Sequence, residues 1–214
     1  MEPGRPIGEQ RVATRLARAG VSVTPPQTAA LTRYLNLLRQ WNRVYNLTGI
    51  HDDAQLIERH LIESLALRPL LLGRQIADLG TGAGLPGIPL AVTEPARHFT
   101  LIESRAKRVR FLRHVVGALG LANVTVEHGR AEDLRFAASF DCVLARAVAR
   151  PRPLLEILRP LTRPGSRILV LTSKDLREQF RGLAEDFLVS QPERPLPAPL
   201  GSAIVVLQRV AGPQ

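Results

Sequence analysis

The chain has 214 residues, 45% of them hydrophobic, which is enough for one substantial core; its apolar stretches are strand-sized and broken by Arg, Gly or Pro, which excludes a membrane-spanning helix. A single cysteine, Cys142, excludes an internal disulfide and suits a reducing, cytoplasmic compartment, and Met1-Glu2-Pro3-Gly4-Arg5 lacks the apolar run of a secretory leader. The net charge of +10 points to a polyanionic partner, because Arg pairs phosphates bidentately and released counterions favour association, while aromatic content of only 4% argues against a chain that binds single strands mainly by stacking. Of 29 basic residues only Lys107 and Lys174 are lysine; genome composition can explain that bias, but not the excess of positive over negative charge.

The first 70 residues read as helices. Val12, Leu16 and Ala19 recur at helical spacing over Gln10 to Ala19. Thr24-Pro25-Pro26 ends one segment and starts the next, after which Leu31, Tyr34, Leu35, Leu38, Trp41 and Val44 mark one face of a long amphipathic helix. A third helix starts at Asp52 or Asp53, either of which can cap it, and turns Leu56, Ile57, His60, Leu61, Ser64 and Leu65 inward. His60 among those apolar neighbours reads as a packing histidine, and Tyr34, Trp41 and Tyr45 read as core. From Gln75 the pattern changes to strands near 75–80, 98–103, 123–128, 140–145, 166–172 and 203–209, alternating with helices over 86–93, 105–119, 152–160 and 174–187. Such alternation predicts a mostly parallel sheet with helices on both faces. The run 203–207 follows a Pro-rich connector and has no helix after it, so it pairs antiparallel. The expected division is a helical extension over 1–72 and a nucleotide-binding α/β unit over 73–214.

The most informative segment runs from Ile76 to Gly87. An apolar strand ends at Asp78, a glycine-rich turn follows, and Pro86 suits the first turn of a helix. Strand, Gly-rich turn and helix together make the pocket in which α/β folds hold nucleotide-like ligands. The next strand ends at Glu103, an acid placed to accept hydrogen bonds from a ribose diol. Two frames compete: Gly82-x-Gly84-x-x-Gly87 fits a dinucleotide fingerprint, and Gly80-x-Gly82-x-Gly84 after Asp78 fits the turn of S-adenosylmethionine-dependent methyltransferases. Arg146, just past the apolar strand Val143-Leu144-Ala145, falls at the carboxyl edge where such sheets bind ligands, although a surface ion pair is the other reading. Asp78 and Asp141 read as acids that orient backbone N–H groups. Cys142 lies in an apolar run and reads as a small hydrophobe rather than a nucleophile.

Further blocks occur in order along the chain: Trp41-Asn42-Arg43-Val44-Tyr45-Asn46-Leu47-Thr48, Arg59 to Ser64, Asp78 to Pro89, Leu101-Ile102-Glu103-Ser104 with Lys107-Arg108 and Phe111-Leu112, Arg130-Ala131-Glu132, Ser139-Phe140-Asp141 and Arg146-Ala147-Val148-Ala149. By these blocks the chain resembles, over nearly its whole length, the bacterial 16S ribosomal RNA guanine-N7 methyltransferases, also called glucose-inhibited division protein B. The resemblance implies a Rossmann-like methyltransferase fold: a seven-stranded, mostly parallel sheet whose last strand is antiparallel, with a helical N-terminal extension. It implies S-adenosylmethionine as cofactor, with Asp78, Gly80, Gly82, Gly84 and Leu85 along its methionine and ribose, Glu103 on the ribose hydroxyls, Ala131 and Glu132 beside the adenine, and Arg146 near cofactor and target base. The partner it implies is 16S ribosomal RNA or the small ribosomal subunit, with no membrane and a monomeric chain. Arg130, Arg150 and Arg152, near the active edge, and Lys174, after the fifth strand, are the candidate RNA contacts. Two places depart from the family pattern: Asp175 follows Lys174, and Leu200-Gly201-Ser202 precedes the last strand.

Guanine N7 carries an in-plane lone pair and no proton, so this chemistry needs positioning and no general base or metal. Arg146 is accordingly a positioning candidate. The five histidines are scattered, and no metal-ligand spacing is present. A methyltransferase acting on another RNA, a protein or a small molecule is the alternative within the enzyme class. A non-catalytic RNA-binding module is the alternative outside it. A nicotinamide-dependent oxidoreductase would use the Gly82 frame, but no substrate domain or proton-donating Tyr-Lys or His pair follows it.

Overall fold

The computed structural model describes residues 6–134, 136, 139–146, 151–173, 179–180, 186–190, 192 and 202–211. Helix α1 (Glu9–Arg18) buries Val12 and Leu16. Helix α2 (Pro25–Tyr45) opens on a capping box in which Thr24 and Gln27 satisfy each other's backbone N–H groups. It ends at Asn46, whose φ of 48° places it in the left-handed region that asparagine tolerates. Asp52 caps α3 (Asp53–Leu56) through the Gln55 N–H at 2.8 Å. A π-helical turn (Ile57–Ile62) joins α3 to α4 (Glu63–Leu65), turning His60 and Glu63 both inward.

Among the described residues seven strands follow: β1 (Gln75–Leu79), β2 (His98–Glu103), β3 (Val124–His128), β4 (Phe140–Arg146), β5 (Thr162–Thr172), β6 (Phe187–Ser190) and β7 (Ala203–Arg209). Their order is β3-β2-β1-β4-β5-β7-β6, with β7 antiparallel to both neighbours and the remaining pairs parallel. Helices α5 (Gly87–Thr93), α6 (Ala106–Leu119) and α7 (Pro151–Leu161) make the crossovers. The chain leaves β1 towards β2 on one side and later returns to β4 on the other. The carboxyl ends of β1 and β4 therefore flank the crevice at which open α/β sheets take their ligands.

The period-two alternation of strands splits the core between the two faces. Ile76, Cys142 and Leu144 pack with the extension and with α5 and α6, in one cluster that runs from Ile7 through Leu31 and Leu61 to Phe111. Ala77, Leu79, Val143 and Ala145 face α7 and its Leu154, Leu155 and Leu158. Cys142 is fully buried, and burial pushes its thiol up to about 11, as fits a small hydrophobe. Among the described residues no helix is long and apolar enough to cross a membrane.

The strand pattern needs two corrections. Strand β6 was not expected: it starts at Phe187, the last residue of the expected helix 174–187, and runs to Ser190 with alternating burial, while residues 174–178 and 181–185 lie outside the described residues. Strand β5 begins at Thr162 rather than 166, through Pro164 and Gly165, because Phe140 pairs with Thr162 and a register shift then brings Cys142 opposite Arg167.

Candidate functional site

Between β1 and α5 the backbone turns through three left-handed glycines: Gly80, Gly82 and Gly84 have φ of 60°, 62° and 91°. Gly87, the third glycine of the dinucleotide frame, has ordinary backbone; a Cβ there would meet Leu101 at 2.3 Å and Asp78 at 2.7 Å, so it serves close packing. The conformational demand thus falls on the Gly80-Gly82-Gly84 frame. A Cβ on Gly80 would meet no atom within 4 Å, which leaves that backbone open to a ligand. Pro86 stands one residue before α5 rather than inside its first turn, and its carbonyl accepts the Leu90 N–H at 3.3 Å. Leu85 is buried. Tyr34 of α2, fully buried, donates its hydroxyl to the Ala83 carbonyl at 2.9 Å, tying the extension to the turn.

Two carboxylates hold the turn from below. Asp78 is fully buried, and its Oδ2 accepts the Thr81 hydroxyl at 2.6 Å and the Gly87 N–H at 2.8 Å. Its Oδ1 is buried with no partner among the described residues. Burial pushes the carboxyl up to about 7 against those two hydrogen bonds and the attraction of Arg146. Glu103, 3% exposed, accepts the Gly82 N–H on Oε2 at 3.0 Å and the Arg105 N–H on Oε1 at 2.8 Å, and pairs with Arg108 at 3.5 Å. Its carboxylate therefore fixes the turn, and lone pairs remain on both oxygens.

A cleft of about 300 Å³ opens beside this turn and brings together Gly80, Ile102, Arg130, Ala131, Glu132 and Leu154. Glu132 and Arg130 are exposed at its rim and Ala131 is half-buried. Arg152 is exposed on α7, the helix that supplies Leu154. Asp78, Gly82, Gly84, Leu85 and Arg146 do not line this cleft. Arg150 and Lys174 lie outside the described residues.

Arg146 ends β4 and is neither a surface pair nor a free cation. Its side chain is 18% exposed; Nη2 donates to Glu63 Oε2 at 2.9 Å and to the Arg59 carbonyl at 2.8 Å. Nη1 is buried without a partner among the described residues. Burial pulls the guanidinium pKa down while Glu63 opposes that shift. Glu63, 2% exposed, is shared with Arg59 at 3.1 Å and accepts the Ser202 hydroxyl at 3.4 Å. His60, on the same turn, bonds Thr48 Oγ1 at 3.0 Å, and burial holds its pKa down at about 4. It is a neutral packing residue.

Glu63 and Tyr34 are the site-building residues that pattern reading missed. An acid inside Leu61-Ile62-Glu63-Ser64-Leu65, four residues after Arg59, was the available signal for the first. Asp141 belongs elsewhere: its Oδ2 accepts the N–H groups of Arg74 at 2.8 Å and Gln75 at 3.0 Å, and its Oδ1 meets Arg163. These contacts close a loop at the amino edge of the sheet, opposite the glycine turn.

Among the solved structures with this architecture are methyltransferases. A SAM dependent methyltransferase from Aquifex aeolicus superposes with TM-score 0.61 at 17% identity, over 78% of this chain and 97% of that one. A putative O-methyltransferase from Klebsiella pneumoniae gives 0.57 at 19%, over 94% and 96%. These likenesses carry the fold: a Rossmann-like methyltransferase sheet. Sequence relatives are nearer. The ribosomal RNA small subunit methyltransferase G of Methylococcus capsulatus is 45% identical over 159 residues, 74% of this chain and 78% of that one. Its counterpart in Escherichia fergusonii is 38% identical over 179 residues, 84% and 86%. With the family's own sequence profile matching residues 27–196, the chain belongs to the rRNA small subunit methyltransferase G family.

Proposed function

We propose that this protein transfers the methyl group of S-adenosylmethionine to N7 of a guanine in 16S ribosomal RNA. The observation that carries the cofactor assignment is a pair of buried atoms, on groups of opposite charge flanking the switch point, with no partner among the described residues: Asp78 Oδ1 and Arg146 Nη1. A buried polar group without a partner is destabilising unless a ligand completes it. An α-amino acid end fits this pair, its ammonium on Asp78 and its carboxylate on Arg146. Gly80 leaves its backbone open, Gly82 and Gly84 shape the turn, and Leu85 backs it. Glu103 takes the ribose hydroxyls on its remaining lone pairs, and Ala131 and Glu132 flank the adenine in the cleft.

Bound S-adenosylmethionine supplies an electrophilic sulfonium methyl. The chain's task is to hold guanine N7 in line with that methyl and to keep water out. No side chain takes a proton, because N7 has none. Arg146, fixed by Glu63, positions cofactor and base; Arg130 at the cleft rim and Arg152 on α7 hold RNA phosphates, and Arg150 and Lys174 are further candidates for RNA contact. Residues 1–72 serve as the extension that braces the turn, and residues 73–214 as the methyltransferase unit, acting on the small subunit in the cytoplasm.

The test is transfer of tritiated methyl to purified 30S subunits from cells lacking this gene, mapped by borohydride–aniline cleavage at N7-methylguanine. One new cut in 16S RNA is the expected result. Cofactor binding without incorporation would overturn the acceptor, and no cofactor binding would overturn the site.

A further inference from the structure

Two helices packed together on one face of the sheet contain no acidic residue. Helix α2 carries Arg33, Arg39 and Arg43, helix α6 carries Lys107, Arg108, Arg110 and Arg113, and neither has an Asp or Glu. Arg39 pairs with Asp53 and Arg108 with Glu103. Arg33, Arg43, Lys107, Arg110 and Arg113 are exposed, with no ion-pair partner among the described residues. A charged helix face is ordinarily just solvated, but such faces mix both signs. This one does not.

The placement also works against helix stability. The first turn of α6 has no acid and no side-chain cap, and it carries Lys107 and Arg108 where the helix dipole disfavours cations. A local choice that works against stability marks a site held by function. Lys107, Arg110 and His114 follow one another at spacings of three and four, so they share one exposed stripe of α6. The stripe starts beside Glu103 and the glycine turn. It ends where the His114 ring meets Trp41 at 5.4 Å between centroids, and the Tyr45 ring, tilted by 34°, meets the same Trp41 at 5.3 Å. Tyr45 is 36% exposed and its neighbour Val44 71%, large apolar groups left open at the end of α2.

We infer that this stripe is a docking track for a single-stranded segment of the RNA substrate. Lys107 and Arg110 take phosphates, and an unpaired base stacks on the Tyr45–Trp41–His114 rings. Cations in line with exposed rings are what single strands use, phosphate by phosphate and face by face. An acidic protein surface would use the cations and leave the rings idle. The track is continuous with the cofactor turn through Glu103 and Arg105, so an RNA lying along it delivers its next nucleotides to the cleft. The inference rests on the ribosomal RNA reading of the site and adds a surface away from the rim arginines.

The experiment compares wild type with Lys107→Gln/Arg110→Gln and with Tyr45→Ala, using the full chain, unmethylated 30S subunits and S-adenosylmethionine. For each protein it reads the 30S KM at several salt concentrations, together with cofactor affinity and melting temperature. The double variant should raise the 30S KM and flatten the salt dependence, each lost phosphate contact removing about 0.7 from the slope of log affinity against log salt. Tyr45→Ala should raise KM on the order of tenfold without changing that slope. Cofactor affinity should stay at the wild-type value in both. Wild-type KM and slope in both variants would overturn the track while leaving the methyltransferase reading intact. A wild-type protein that methylates no 30S subunit would overturn both together.

Discussion

Asp78 offers a quantitative handle on the site. Its carboxyl is fully buried, one oxygen has no partner among the described residues, and burial pushes it up to about 7. The groups that face it are Thr81 and Gly87 on its own turn, Arg146 on β4 and Glu103 on β2. If the ionised form receives the ligand ammonium, binding must expel a proton wherever the free carboxyl is protonated. At pH 6 a group of pKa about 7 is roughly nine-tenths protonated, so cofactor affinity should fall about fivefold between pH 7 and pH 6, on the order of 1 kcal/mol. Calorimetry at pH 6 in buffers of different ionisation heat should register nearly one proton released per cofactor bound. Asp78→Asn should bind weakly, with neither the pH dependence nor the proton. The same group sets a stability signature with a definite sign. Its folded pKa lies above the unfolded value near 3.9, so its stabilising contribution is complete below about pH 4 and is lost as pH rises through about 7, up to about 4 kcal/mol. Ligand-free Asp78→Asn should therefore melt above wild type at pH 8, with the difference shrinking towards pH 5. Flat affinity between pH 6 and 7, or proton release that survives in Asp78→Asn, would refute the assignment.

Other perturbations separate support from contact. Glu63→Ala strands the Arg146 guanidinium in a buried setting and should destabilise by about 3–5 kcal/mol in urea unfolding, as removal of one partner of a buried ion pair does. Glu63→Gln, which keeps an acceptor for Nη2, should lose less. Gly84→Ala drives a methyl to 2.5 Å from Ile88 at a φ of 91° and should lower the melting temperature. Gly80→Ala meets nothing within 4 Å, so beyond backbone strain of about 1–2 kcal/mol its loss should appear in cofactor affinity. His60 has a folded pKa of about 4, below its unfolded value of 6.5. Its contribution is present above pH 6.5 and lost as pH falls through 4, up to about 3 kcal/mol, a slope opposite to that of Asp78. His60→Gln should flatten acid unfolding over that window.

Much of the parallel sheet could be read locally because its signals are local. The runs ending at Leu79, Glu103 and Arg146 are apolar on both faces, as strands buried under helices must be, and Asp52 and Thr24 announce their helices through side chains that bond the next turn. Strand β6 was illegible for the same reason in reverse. Four residues with the burial pattern of an edge strand carry too little periodicity to outweigh a helical run before them, and only pairing with β7 makes them a strand. The glycine frame was decided by dihedrals that sequence does not contain. Gly87 fits the dinucleotide spacing as well as Gly82 does, and only the positive φ at Gly80, Gly82 and Gly84 separates turn glycines from a packing glycine.

Arg146 shows most clearly what a linear reading leaves out. Its position at the end of β4 was legible, and so was the edge it faces. Its state was not, because that depends on Glu63, 83 residues earlier in the chain. Tyr34 stands in the same relation to the glycine turn, reaching Ala83 across 49 residues. Both partners come from the extension, whose apolar face belongs to the same core cluster as Ile76 and Phe99. Had the extension been an appendage with its own core, the turn and Arg146 would have to be held by groups within the sheet unit. Instead the buried hydroxyl and carboxylate that orient them are supplied by α2 and by the turn into α4. The extension is therefore part of the candidate site, and a chain lacking everything before β1 should lose the geometry of Arg146 along with the apolar cover of the sheet.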